Sequence, residues 1–151
     1  MNFTACYSQS TPESFGNNLF ATLKTFSNSN EQSSYDQFSA DFLQKDYANG
    51  CYKEIISKGI EKGVDWSKIQ FIKYYHKEFQ KNGKKYSSGV LSVKLSAKSD
   101  YKNFAFYTLN IQVGQSYYVL KCNDKWSRDT NPIPDDRARS VLDNIAKDWV
   151  Q

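Results

Sequence analysis

The first part of the chain repeats apolar residues at the three- and four-residue spacing of amphipathic helices. A first helix is predicted to begin at Thr11, which suits an N-cap, and Pro12, which suits the first helical position. Its apolar face comprises Phe15, Leu19, Leu23 and Phe26. The polar run over residues 27–34 predicts a loop after this helix.

Two more helical segments are predicted before the pattern changes. One should begin near Ser34 and be ended or kinked by Asn49-Gly50. Its apolar face comprises Tyr35, Phe38, Phe42 and Tyr47. The other covers residues 51–63, where apolar residues recur four apart and Gly63 is the expected terminator.

From Trp66 the apolar period becomes two, which is typical of strands. Strands are predicted over residues 68–79, 86–97, 103–113 and 117–122. Asn82-Gly83 suits a tight hairpin turn, and further turns are expected at 98–102, 114–116 and 123–125. In the second strand Leu91 and Val93 would face the core, while Ser92 and Lys94 would lie on a polar face.

A last helix should begin at Pro134, with Asp135 and Asp136 at its positive end. Helices, a meander of about four antiparallel strands and a final helix together predict an α+β fold. The N-terminal helices would pack on the apolar face of a curved sheet. We expect a flexible tether over residues 1–10 and a single α+β domain over 11–151, which the resemblance described next implies is cone-like.

Several stretches of the sequence resemble the nuclear transport factor 2-like, or cystatin-like cone, superfamily. The opening "STPESFGNNLFATLKTF" resembles that of small bacterial lipoprotein members. The segments "YSSGVLSVKL", "NFAFYTLNIQV" and "YYVLKCNDKW" resemble the long hairpin strands of the family. The resemblance covers roughly residues 11–128 and implies a fold rather than an activity, because none of its motifs is catalytic.

Composition excludes several classes of protein. The chain has 151 residues, 16% aromatic residues and a net charge of +4, which is too mild for a nucleic-acid footprint. No apolar run reaches the roughly 18 residues of a membrane-spanning helix. One histidine and three scattered cysteines offer no metal-ligand pairs, and no cofactor motif is present.

The position of Cys6 raises the question of location. The small residues before Cys6 in "FTAC", and the polar run after it, resemble the lipidation site of a bacterial lipoprotein. Cys6 would then carry a lipid anchor after a signal peptide upstream of Met1, on the periplasmic side of the cell envelope. Cys51 and Cys122 would be free to form a disulfide there. The alternative is a cytoplasmic protein with three reduced thiols.

Acid–base catalysis has two candidate residues. His76 is the only histidine, and Asp41 adjoins the apolar Phe42 and could approach the core. The simpler interpretation places His76 on an exposed strand and Asp41 on a solvated helix face, since surface carboxylates are commoner than buried ones.

The aromatic strand residues suggest a binding surface. The residues expected to line a concave face of the sheet are Tyr75, Phe104, Phe106, Tyr107 and Tyr118. We expect a non-enzymatic envelope module that binds a protein or a small apolar ligand there. One alternative is a small enzyme of the isomerase or dehydratase type on the same fold. The other is a subunit of an envelope secretion assembly, and a homodimer would be evidence for it.

Overall fold

The computed structural model describes residues 11–26 and 31–150. Helices α1 (Pro12–Leu23), α2 (Glu31–Ala40) and α3 (Lys45–Lys62) come first. A short 3-10 turn, Trp66–Lys68, leads into strands β1 (Gln70–Lys81), β2 (Lys84–Lys94), β3 (Asn103–Val113) and β4 (Ser116–Ser127). Helix α4 (Asp135–Asp148) ends the fold, so the predicted α+β class, with N-terminal helices on a four-stranded antiparallel sheet, is confirmed.

Local signals place most element ends. Thr11 caps α1, since its side chain accepts from the backbone N–H of Ser14 at 3.1 Å. Gly63 ends α3 in the left-handed region, with φ 69°. Asn82 and Gly83 both have positive φ and join β1 to β2 in a two-residue hairpin, as their sequence predicts.

The boundary between the second and third helices differs from the prediction. Helix α2 ends at Ala40, and α3 runs uninterrupted through Asn49-Gly50. The chain breaks at 41–44 instead, because Phe42 forms a parallel bridge with Val119 on the outer edge of β4. The N–H of Val119 donates to the carbonyl of Asp41 at 2.7 Å, a distant pairing that helical spacing cannot reveal.

The fourth strand is longer than predicted. The expected turn at 123–125 is wrong, because β4 continues to Ser127 and pairs with β3 along its whole length. Asp124 lies opposite Phe106 and is buried. Its carboxylate accepts from the indole N–H of Trp126 at 2.6 Å and from the Lys58 ammonium at 3.2 Å, which compensates for burying a charge.

The first face of the sheet packs against α1, α2 and α3. The shared core combines helical residues with side chains from all four strands. Its fully buried members include Phe15, Leu19, Phe38, Ile55, Leu91 and Phe104. Aromatic rings meet edge to face in this layer, as between Trp66 and Phe104 with centroids 5.7 Å apart.

Helix α4 covers the second face of the sheet. The prediction that this face is polar is therefore wrong over much of its area. Leu142 and Ile145 of α4 pack with Val90, Tyr107 and other strand residues in a second core. Ser92, expected in solvent, is only 1% exposed. Leu142 and Ile145 recur at helical spacing, but spacing alone could not place them on this face of the sheet.

A disulfide joins Cys51 of α3 to Cys122 of β4. Their Cα atoms are 6.4 Å apart, and the bond closes a loop with a sequence separation of 71 residues. The bond therefore fastens α3, the longest of the described helices, to β4, one of the two edge strands of the sheet.

Tyr74 lies between two glycines. A side chain at Gly16 of α1 would overlap the Tyr74 ring, and one at Gly89 of β2 would overlap its hydroxyl group. Neither glycine has a positive φ, so backbone conformation does not require it. Each is required because Tyr74 lies too close to the backbone there to leave room for a Cβ atom. The absence of both Cβ atoms lets α1 lie directly on the ring.

The double variant Cys51→Ser/Cys122→Ser should have a free energy of unfolding that is lower by roughly 4 kcal/mol. This is the chain-entropy contribution expected of a disulfide that closes a loop of this length. Urea unfolding followed by far-UV circular dichroism measures the change. A thiol reductant should destabilise the wild-type chain and leave the double variant unaffected. An unchanged wild-type midpoint in reductant would contradict the prediction.

Gly16→Val should lower the free energy of unfolding by about 1–3 kcal/mol, because the added side chain forces the Tyr74 ring to move. Gly50→Ala is the matched control, since an added Cβ there meets no atom within 4 Å. It should be neutral or stabilise α3 by up to about 1 kcal/mol. Chemical denaturation compares both variants, and a Gly16→Val chain as stable as the wild type would refute the prediction.

Candidate functional site

A cleft of about 380 Å³ opens beside α4, at the end of the sheet where β3 begins and β4 ends. Its walls are the first turn of α4, the end of β4 and the loop that joins them. The volume falls in the range of pockets for small organic molecules.

Small side chains on neighbouring strands create the floor of the cleft. Ser92 of β2 lies opposite Ala105 of β3, and both line the cavity. Larger residues at these two positions would fill the space beneath the loop. Tyr107, two residues along β3 from Ala105, lines the cavity on the same face.

The loop is fixed where it leaves β4. The side-chain amide of Asn103 donates to the carbonyl of Asp129 at 2.7 Å. Arg128 donates to Asp100 at 3.0 Å, and its guanidinium lies 4.3 Å from the centre of the Tyr101 ring. Pro132 and Pro134 restrict the backbone farther along the loop, which limits the conformations that the wall of the cleft can adopt.

Helix α4 is tied to the sheet at both ends. At its start the Tyr75 hydroxyl donates to Asp135 at 2.5 Å. At its end the ammonium of Lys121 donates to the Trp149 carbonyl at 3.0 Å. Between them Lys77 pairs with Asp143 at 2.7 Å. These contacts hold Arg137, in the first turn, at the rim of the cleft.

The Tyr75–Asp135 contact shifts two ionisation equilibria in opposite directions. Burial, followed by the hydrogen bond to Asp135, raises the pKa of Tyr75 to about 12. The same hydrogen bond, with help from Lys73, lowers the pKa of Asp135. Both shifts favour a neutral phenol donating to a charged carboxylate.

Two cationic side chains line the cleft. Lys125 and Arg137 line the cleft, and within residues 11–26 and 31–150 neither forms an ion pair. Asp129 is the one acidic residue among the described lining residues. Burial raises the pKa of Tyr107, while nearby Arg137 partly offsets the shift, so this phenol stays neutral and can donate a hydrogen bond.

The predicted aromatic binding residues do not share one face of the sheet. Phe104 and Phe106 lie in the core beneath α1, α2 and α3, whereas Tyr75 and Tyr107 lie in the core beneath α4. Consecutive strand residues such as Phe106 and Tyr107 must point to opposite faces. Tyr118 is half-buried farther along β4, and only Phe104 and Tyr107 of the five line the cleft.

The two candidates for acid–base chemistry lie apart from the cleft. His76 is exposed on β1, where its ring stacks at 5.7 Å on that of Tyr74. Asp41 is buried beside the bridge between Phe42 and Val119. Neither residue lines the cleft.

The lipidation candidate Cys6 lies outside the described residues, as does the predicted tether. Across the described part of the chain, no helix is both long and apolar enough to cross a bilayer. The same residues contain no cluster of three or more potential metal-ligating His, Cys, Asp and Glu side chains.

Sequence reasoning missed most of the cleft. Ser92 reads as a solvent-facing strand residue and Arg137 as an ordinary exposed helical arginine. The signal that could have pointed to the site is Pro132-Ile133-Pro134, which marks a stiff loop immediately before a helix.

Comparisons with protein-family models, with curated proteins and with solved structures found no significant match for this chain.

Tyr75→Phe should raise the pKa of Asp135 toward its ordinary value of 3.8, because it removes the largest cause of the shift. In the wild type the depressed pKa means that Asp135 stabilises the fold above pH 3.8, and this contribution is lost as pH falls through the folded-state pKa. Carboxyl ¹³C NMR titration measures the change. Tyr107→Phe is the control and should leave Asp135 unchanged; equal Asp135 pKa values in the wild type and Tyr75→Phe would contradict the assignment.

Proposed function

We propose that this protein is a non-enzymatic binding module of the bacterial cell envelope whose ligand is a small organic anion with a flat apolar body. The ligand would lie in the cleft beside α4, with its anionic group at Arg137 and Lys125. This proposal keeps a binding role and replaces the aromatic sheet face with the cleft as the binding site.

The observation that carries the proposal is a cavity lined by two cations, Arg137 and Lys125, that form no ion pair within the described residues. An arginine guanidinium offers two parallel donors to a carboxylate, and Lys125 adds a second positive charge. Ile133 and the prolines of the loop supply apolar surface for the rest of the ligand. Ser92, Tyr107 and Asn103 add hydrogen-bonding groups that would orient it.

A binding role is favoured over catalysis by what lines the cleft. The described lining residues include neither histidine nor cysteine, and Tyr107 has a raised pKa that disfavours its use as a base. A nucleophile next to a base, the usual arrangement for covalent catalysis, is not found among them.

The envelope location is supported by the disulfide. Bonds of this kind persist in oxidising compartments such as the periplasm and are rare in the cytosol. The FTAC segment, which ends at Cys6, supplies the second argument, since its small residues before a cysteine resemble a lipoprotein processing site.

Benzoate should bind the cleft more tightly than its neutral isostere benzamide, because only the carboxylate satisfies Arg137. Arg137→Gln should weaken benzoate binding about tenfold, in line with the loss of a charge-assisted hydrogen bond, and leave benzamide binding unchanged. Chemical-shift perturbation in ¹⁵N-labelled protein gives both affinities and the location of the site.

Arg139→Gln is the matched control. It removes the same charge from the same helix, but Arg139 does not line the cleft, so benzoate affinity should stay at the wild-type value. Perturbed resonances confined to the loop, Ala105 and the start of α4 would support the site. Equal binding of benzoate and benzamide, or equal loss in both arginine variants, would refute it.

A further inference from the structure

A second, separate surface combines positive charge with exposed apolar side chains. Lys24, Lys68 and Lys94 surround a groove of about 560 Å³ between the end of α1, the 3-10 turn and the end of β2. All three lysines are exposed. We call this surface, together with the apolar residues described next, the basic–apolar patch.

The apolar part of the patch adjoins the groove. Phe71 and Ile72 on β1 are 43% and 37% exposed, which is high for large apolar side chains. The Phe71 ring meets Phe20 of α1 edge to face, with centroids 5.4 Å apart. Lys24, which lines the groove, lies 5.8 Å from the centre of the Phe20 ring and so adjoins the Phe20–Phe71 pair.

The outward position of these side chains follows from the sheet. Strand β1 is an edge strand, and its register shifts between Phe71 and Lys73, so Ile72 is an extra residue without a partner on β2. This bulge keeps Phe71 on the α1 side while Ile72 is left exposed. Neither side chain is needed to fill a core, since both lie outside the two buried clusters.

The charges of the patch are poorly neutralised. Lys68 is 3.8 Å from Asp65, an exposed pair of the kind that contributes little. Lys24 and Lys94 form no ion pair within the part of the chain that the structure describes. Three lysines therefore line one groove, and among the described residues only Lys68 has an acidic partner.

We propose that the basic–apolar patch docks on an anionic membrane surface. The lysines would contact lipid phosphates, and Phe71 and Ile72 would enter the boundary between headgroups and acyl chains. Charge complementarity and the adjoining apolar side chains together fit a bilayer surface, which offers many phosphates above hydrocarbon. A free phosphate ion would leave Phe71 and Ile72 without a role.

Vesicle co-sedimentation of the full, unacylated chain tests this proposal. Binding to vesicles of 30% phosphatidylglycerol in phosphatidylcholine should exceed binding to pure phosphatidylcholine and should fall with salt. Lys24→Gln/Lys68→Gln/Lys94→Gln should weaken binding about 100-fold, at about fivefold per lysine near the surface. Phe71→Ser/Ile72→Ser should weaken binding about tenfold.

Lys53→Gln/Lys84→Gln/Lys147→Gln is the matched control. It removes the same net charge from exposed lysines elsewhere and should bind nearly as well as the wild type. Circular dichroism and thermal unfolding must match the wild type for each variant. If Phe71→Ser/Ile72→Ser loses its fold, Ile72→Ser alone replaces it, because Ile72 packs in neither core.

Equal losses in the two lysine triples, or no preference for phosphatidylglycerol, would overturn the proposal. So would full binding by the serine variant, since the lysines would then bind a phosphate group alone. Light scattering after size exclusion tests whether the patch is instead a dimer interface. A wild-type dimer that becomes monomeric in Phe71→Ser/Ile72→Ser would assign the patch to a second copy of the chain and overturn the proposal.

Discussion

Burial of both faces of the two central strands is the constraint on which this structure depends. Val90 and Leu91 are consecutive on β2, and both are fully buried because one points to α4 and the other to the N-terminal helices. Strands of this kind require cover on each side. A four-stranded sheet with helices on one face alone would expose Val90, Tyr107 and Leu109 to water, so α4 completes the core.

The cleft exists because this cover is incomplete. Helix α4 begins only at Asp135, and the chain reaches it from β4 through a loop that lies over Ser92 and Ala105. Small side chains beneath a stiff loop leave a cavity, where larger ones would have extended the core. The hydrogen bond between Tyr75 and Asp135 contributes both to the cover of the sheet and to the cleft. It docks α4 on the sheet, and it thereby sets the position of Arg137 at the rim.

The parts of the fold that sequence could predict are those with local causes. A cap at Thr11, a terminator at Gly63 and a tight turn at Asn82-Gly83 each follow from the preferences of adjacent residues. The helix break at 41–44 and the continuation of β4 through 123–125 both depend on partners that are distant in sequence. The local pattern of residues therefore predicted both wrongly. The cleft combines β2, β3, β4 and α4, and nothing in the spacing of Ser92 and Arg137 indicates that they line one cavity.

The bond between Cys51 and Cys122 also determines how the chain responds to tension. A pull on the two ends of the chain would pass from α3 through the sulfur atoms to β4 and bypass the residues between them. Strands β1, β2 and β3 lie entirely within this closed loop. The 71-residue separation withholds about 230–260 Å of extended length until a reductant opens the bond, so the hairpin sheet is shielded from stretching while the cysteines stay oxidised.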